Sequence, residues 1–268
     1  MDAETTFAGN MDRFTGFAGQ YDEHRAAPPA RMASLLMEIA QADASGTVVD
    51  LGCGTGLSSR YWVGKISHII GIEPTDSMRA EAERRGGEGL RYQRGFSHDT
   101  GLPDESVDIV TCAQALHWMD PQGTFSEAAR ILKAGGVFAA CDYDWPPVTG
   151  IWEVDKAYAE CDRQGRALER ELGLADALEF YEKSGHLARM HASGAFRWVR
   201  EILLHDEDEG DAERLVGLAL SQGSVQTLLK AGLSEDEIGI TRLREKASSL
   251  MSGKKRWLWS SRLRVGVV

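Results

Sequence analysis

The sequence lacks the features that mark several protein classes. Its four cysteines, Cys53, Cys112, Cys141 and Cys161, are scattered over 268 residues with no C-x-x-C pair and no His/Cys cluster. A disulfide framework and a zinc site are therefore excluded as readings, and small buried hydrophobes remain. No metal is expected. No apolar run approaches the roughly 20 residues a membrane span requires. The start, Met1-Asp2-Ala3-Glu4, has neither the basic flank nor the apolar core of a secretory signal, so a cytoplasmic location and no membrane partner are expected. Positive charge is scarce as well. Thirty Lys and Arg against 41 Asp and Glu leave a net charge of -11, which argues against broad binding of a nucleic-acid backbone. The one tight basic run, Lys254-Lys255-Arg256, reads as a solvated turn before the last strand. Hydrophobic content of 43% and charge of 26% are those of an ordinary globular chain, long enough for an α/β domain with a helical insertion.

What is present centres on Thr47-Val48-Val49-Asp50-Leu51-Gly52-Cys53-Gly54-Thr55-Gly56-Leu57-Ser58. This is a short apolar strand, an acid near its end and a glycine turn that admits a ligand close to the backbone before a helix begins. The spacing is not that of a dinucleotide fingerprint, G-x-G-x-x-G, because the third glycine comes one residue early, at Gly56. Asp50 would also repel the phosphates that such a turn attracts. The ligand expected here is nucleoside-like, carries positive charge and has no phosphate, and S-adenosylmethionine meets all three conditions. A second apolar strand, His68 to Ile72, ends at Glu73, 23 residues beyond Asp50, where a carboxylate is suited to both ribose hydroxyls.

Asp50-Leu51-Gly52-Cys53-Gly54-Thr55-Gly56, followed by Glu73, resembles the first two motifs of the class I S-adenosylmethionine-dependent methyltransferases. The resemblance implies an α/β fold with a doubly wound, mostly parallel seven-stranded sheet, the Rossmann-like methyltransferase fold. A helical cap is expected after strand five and between the last strands. The domain organisation expected is a lid segment over 1–33, a cofactor-binding core over 34–148, a cap insertion over 149–194, and the last strands with inserted helices over 195–268. Within the lid, Phe17 to Arg25 resembles an F-x-x-x-A-x-x-Y-D-x-x-R segment of small-molecule methyltransferases, implying Tyr21 as a cofactor contact and Arg25 as a substrate contact. Pro74 and Met78 follow the second strand, and Met78 is implied against the adenine. Phe96 and Ser97 lie at the carboxyl end of the third strand, within reach of the adenine, and Ala113 directly follows the fourth, Val107 to Cys112. The family usually carries an acid near Ser97 or His98, and this chain has one only at Asp99.

Ala113-Gln114-Ala115-Leu116-His117-Trp118-Met119-Asp120 resembles the A-x-x-x-H-W-x-D signature of a subgroup that includes the trans-aconitate methyltransferases. It implies His117 as general base or hydrogen-bond donor and Trp118 as a wall of the acceptor site. The fifth strand, Val137 to Tyr143, delivers Tyr143 and Trp145 to the same rim. Helices are expected over 30–41, from about 58, over 122–132, within 152–185, and over 211–222, 225–231 and 234–251. Strands are expected over 195–205 and 256–267. The expected activity is methyl transfer by in-line displacement to a small-molecule acceptor, with a carboxylate as one candidate. The competing readings are a non-catalytic S-adenosylmethionine-binding protein, a methyltransferase for protein or RNA, and a nicotinamide-dependent oxidoreductase, the last disfavoured by the glycine spacing.

Overall fold

The computed structural model describes residues 8–13 and 24–268, with the side chain of Asp12 excepted. Among them are seven strands: β1 Thr47–Leu51, β2 His68–Ile72, β3 Leu90–Gln93, β4 Val107–Ala113, β5 Leu132–Tyr143, β6 Trp198–Gly210 and β7 Lys255–Val267. They form a single sheet in the order β3-β2-β1-β4-β5-β7-β6. β1 to β5 run parallel, with Val49 opposite both Ile70 and Val110, and β7 is antiparallel to β5 and β6. This is the expected doubly wound, mostly parallel seven-stranded sheet.

The alternation of side chains along each central strand makes two cores. Val48, Ile109, Val137 and Ala139 point to one face, where Met32, Ala33 and Leu36 of helix α2 (Met32–Ala40) cover them together with Trp62 and Ile66. Val49, Leu51, Val110, Cys112, Phe138 and Ala140 point to the other, against Phe125, Ala128 and Ile131 of α5 (Pro121–Ile131). Two covered faces are why these strands read as unbroken apolar runs rather than alternating ones. Between them in sequence come the short α3 (Leu57–Arg60) and α4 (Asp76–Arg85). Ahead of all these lies α1 (Ala8–Arg13).

A third core belongs to the cap. Helix α6 (Trp152–Glu171) packs with α8 (Ala212–Leu220), α9 (Gly223–Lys230), α10 (Glu235–Ile238) and α11 (Ile240–Leu250) around Tyr158, Leu218, Leu228, Ile240 and Leu243. Trp257 and Trp259 of β7 are part of this same core. β7 pairs with β6 over the whole span from Trp198↔Val267 to Gly210↔Lys255, but with β5 only as far as Tyr143↔Ser261. The two long strands thus run past the sheet into the cap.

Three local expectations are corrected. The helix expected over 234–251 is two, because Gly239 adopts φ +94° and ends α10, whose start is fixed by a capping box of Ser234 and Glu237. The fifth strand, expected from Val137, begins at Leu132 with an irregularity: Val107 faces Leu132, whereas Ile109 faces Val137. A seven-residue helix, α7 (His186–Ala192), was not foreseen; its buried Met190 joins the α5 side of the sheet.

Candidate active site

At the carboxyl ends of β1, β2 and β4 a cavity of roughly 1140 Å³, mouth included, opens beside the glycine turn. Gly54 (φ +55°) lines it, and a Cβ built there would meet nothing within 4 Å, so that face of the turn is open to a ligand. Gly56 (φ +81°) does not line it. A Cβ there would fall 2.1 Å from Tyr92 Oη, so the glycine is required by packing beneath the turn. Gly52 lines the cavity, and its amide and that of Cys53 both donate to the Ile72 carbonyl, binding the turn to the end of β2.

Of the two acids, only one faces the cavity. Asp50 is fully buried: Oδ2 accepts from the Ser58 and Ser59 hydroxyls at 2.6 and 2.7 Å, and Oδ1 from Thr111 at 3.1 Å. Burial pushes its carboxyl up, against the pull of those hydroxyls. The expectation that Asp50 meets the ligand is corrected, since its oxygens are spent tying the start of α3 to β1 and β4. Glu73 lines the cavity instead. One oxygen accepts from the Gly54 amide and the other from the Thr75 amide, each at 2.9 Å. A carboxylate has about four lone-pair positions, so two remain for a ligand. Burial pushes the Glu73 carboxyl up, which the two amides partly offset.

Pro74, Met78, Phe96, Ser97 and Ala113 also line the cavity and give it an apolar flank. Ser97 shares a 2.7 Å hydrogen bond with Thr124, fixing the loop after β3 to α5. At the far end are Arg25, Trp118 and Tyr143. The Arg25 guanidinium donates to the Ser221 hydroxyl and carbonyl, and Tyr143 donates to the Ala26 carbonyl at 2.9 Å. Two side chains expected on this rim are not on it. Trp145 packs against Tyr158 and Trp259 of the cap and carries Arg25 over its ring at 4.9 Å. His117 lies behind Trp118, buried, with Nδ1 4.0 Å from Asp142 and its ring edge-on to Phe180. Burial, with the Lys183 ammonium nearby, holds its imidazole well below the usual range, so it is neutral at pH 7. It does not touch the cavity. Tyr21 lies outside the described residues.

The sequence also left some lining residues unnamed. Asn10 of α1 donates to the carbonyls of Trp118 and Glu179 and accepts from the Glu179 amide, and Arg13 pairs with Glu169 of α6. These bonds hold α1 against the cavity, which Asn10 and Met11 line. Gln114 follows β4 directly, takes φ +55°, and lines the cavity too. A non-glycine residue in that region is uncommon and marks a site worth explaining.

Residues 49–140 match the family model described as a methyltransferase domain. That segment runs from β1 through β5 and carries the turn, Glu73 and the end of β4. An uncharacterised methyltransferase, YcgJ of Bacillus subtilis, is 29% identical over 151 residues, 54% of this chain and 57% of the relative. A probable S-adenosylmethionine-dependent methyltransferase of Saccharomyces cerevisiae, CRG1, is 28% identical over 147 residues, 53% of this chain and 50% of the relative. The chain spans about half the length of the curated relatives it matches. Among solved structures, a putative type II methyltransferase from Anaeromyxobacter dehalogenans superposes with a TM-score of 0.64 at 23% identity, over 91% of this chain and 97% of that one. The architecture is thus the Rossmann-like methyltransferase fold.

Proposed function

We propose that the protein is a class I S-adenosylmethionine-dependent methyltransferase acting on a small-molecule acceptor that carries a carboxylate. The observation that carries the cofactor is Glu73, a buried carboxylate held beside the open face of Gly54 with lone pairs to spare. An acid at this point suits ribose hydroxyls, and the glycine spacing ahead of it is not that of a dinucleotide turn. Glu73 would hold the ribose, Gly52 and Gly54 the amino-acid part, and Pro74, Met78, Phe96, Ser97 and Ala113 the adenine side. When bound, S-adenosylmethionine supplies an electrophilic methyl: the acceptor oxygen's electron pair forms the new C–O bond, and the C–S pair stays on sulfur as a neutral thioether.

What the chain itself contributes is alignment and exclusion of water, which in favourable cases lowers a barrier by about 7–11 kcal/mol. α1, Trp118 and Tyr143 close the far end. A carboxylate acceptor has no proton to lose, and the reading is supported by the position of His117, neutral and out of the cavity. The finer assignment to a subgroup resembling trans-aconitate methyltransferases rests on Ala113 to Asp120. Cys53, Cys112, Cys141 and Cys161, all buried free thiols, suit a reducing cytoplasmic setting.

Calorimetric titration with S-adenosylhomocysteine, with NAD as control, tests the reading. Binding of the former alone is expected. Folded protein that gives no heat with S-adenosylhomocysteine, or that takes NAD as well, would overturn it.

A further inference from the structure

The two edges of the sheet are built differently. β3, at one end, is four residues long, whereas β6, at the other, runs for thirteen and pairs with β7 in one unbroken register. Natural edges are blunted by shortness, lysine, proline or a bulge, because an open row of amides and carbonyls accepts another strand. β6 has none of these four features. The direction of its backbone follows from the ladder. The Asp144 amide donates to the Ser260 carbonyl at 2.8 Å, so Ser260 and every second residue of β7 turn toward β5, and Ser261, Leu263 and Val265 turn toward β6. Their partners there are Leu204, Ile202 and Arg200, which leaves the amides and carbonyls of Val199, Glu201, Leu203, His205 and Glu207 pointing away from the sheet. None of these outward groups has a hydrogen-bond partner among the described residues. Beside them Leu203 is 52% exposed, and Arg200 is exposed with no ion pair among the described residues.

We propose that β6 docks antiparallel onto β6 of a second copy of this chain, about a two-fold axis at Leu203, so that two sheets become one. This stands independently of the methyltransferase reading. Charge selects both the partner and the register. The first half of the strand carries Arg200 and the exposed Trp198 and Leu203, and the second half carries the acidic run from Asp206 to Glu209. A two-fold antiparallel pair lays the acidic half of each copy beside the other copy's first half. Centred on Leu203, it sets Arg200 opposite Asp206 and Glu201 opposite His205, each twice, and covers Leu203 with its own copy. Moving the axis to Glu201, Leu204 or His205 would set Glu201 opposite Glu201, Glu207 or Glu209, and like charges directly opposite destabilise a strand pair. An axis at Ile202 would leave Arg200 facing Leu204.

Sedimentation velocity on the full chain, over a concentration series, tests this. A single strand pair is a small interface, so the parent is expected to pass from monomer to dimer with a dissociation constant on the order of micromolar, in a series that reaches about a hundredfold higher. Leu203→Lys sets two ammonium groups on the axis and is expected to stay monomeric. Arg200→Glu and Asp206→Arg each turn two attractive pairs into repulsive ones, and each variant alone should dimerise about tenfold more weakly than the parent. Mixed in equal amounts, the two should dimerise about as tightly as the parent, because both cross-strand positions then hold opposite charges. Circular dichroism establishes that each variant is folded. A parent that is monomeric throughout the series overturns the proposal, as does a folded Leu203→Lys protein that dimerises like the parent. A mixture of the two charge variants that dimerises no better than either alone overturns it as well.

Discussion

Replacing Glu73 by glutamine separates a ribose-binding role from a merely structural one. In the protein, the Glu73 oxygens accept from the Gly54 and Thr75 amides, each at 2.9 Å. Glutamine has a single carbonyl oxygen, so one amide loses its acceptor, and the variant without ligand should be less stable by about 1–3 kcal/mol. The ligand effect is separate. A hydrogen bond to a charged group contributes about 1.5–3 kcal/mol, and one of the two hydroxyls loses its acceptor, so S-adenosylhomocysteine affinity should fall about tenfold or more. Calorimetry with S-adenosylhomocysteine and its 2′-deoxy analogue, on parent and variant, completes the cycle. Removing the hydroxyl should weaken binding to the parent about tenfold and to Glu73→Gln by less than threefold, because the partner has already gone. An equal loss in both proteins would refute the ribose contact, leaving Glu73 as a brace for the turn.

Gly56→Ala and Gly54→Ala should part company. Both place alanine at a left-handed residue, at about 1–2 kcal/mol each; the first also drives a Cβ into Tyr92 and should cost roughly 2–4 kcal/mol in urea denaturation, whereas the second meets open space and should in addition weaken S-adenosylhomocysteine, and similar losses of stability would refute the assignment of the two faces. Burial opposes ionisation of Glu127, but hydrogen bonds from Arg130 and Thr100 outweigh it and hold the carboxyl down at about 2. Its folded pKa lies below the ordinary 4.5, so its stabilisation is complete above that pH and lost as pH falls toward 2. Glu127→Gln should therefore flatten the fall in stability with pH over that window, and an unchanged slope would refute it. Asn10→Ala removes the bonds from α1 to Trp118 and Glu179; the dissociation rate of S-adenosylhomocysteine should rise about tenfold for the roughly 1 kcal/mol lost per bond, and an unchanged rate measured by stopped flow would show that α1 does not close the cavity.

The sheet was legible because a strand covered on both faces must be apolar throughout, as Val48-Val49 and Ile69-Ile70 are. The turn was legible because glycine takes such backbone angles at the least cost. Side-chain direction at the strand ends was not. Asp50 turns under the loop because Ser58, Ser59 and Thr111 converge there, and Thr111 comes from a strand 61 positions on. His117 and Trp118 are adjacent in sequence and both pack against Phe180, yet only Trp118 reaches the cavity. The side chain of Gln114 is held by Lys183, 69 positions away on a connection without periodicity. Helix α7 was missed because seven residues give a repeat too short to distinguish from a loop.

The passage of β6 and β7 beyond β5 has a mechanical meaning. Trp257 and Trp259, seated among the cap helices, stand on the same continuous strand as Leu263 and Val265, seated in the sheet. A roof built on beams that run through into the floor does not swing on a hinge. Cap and sheet are in that sense one framework, joined through two continuous strands.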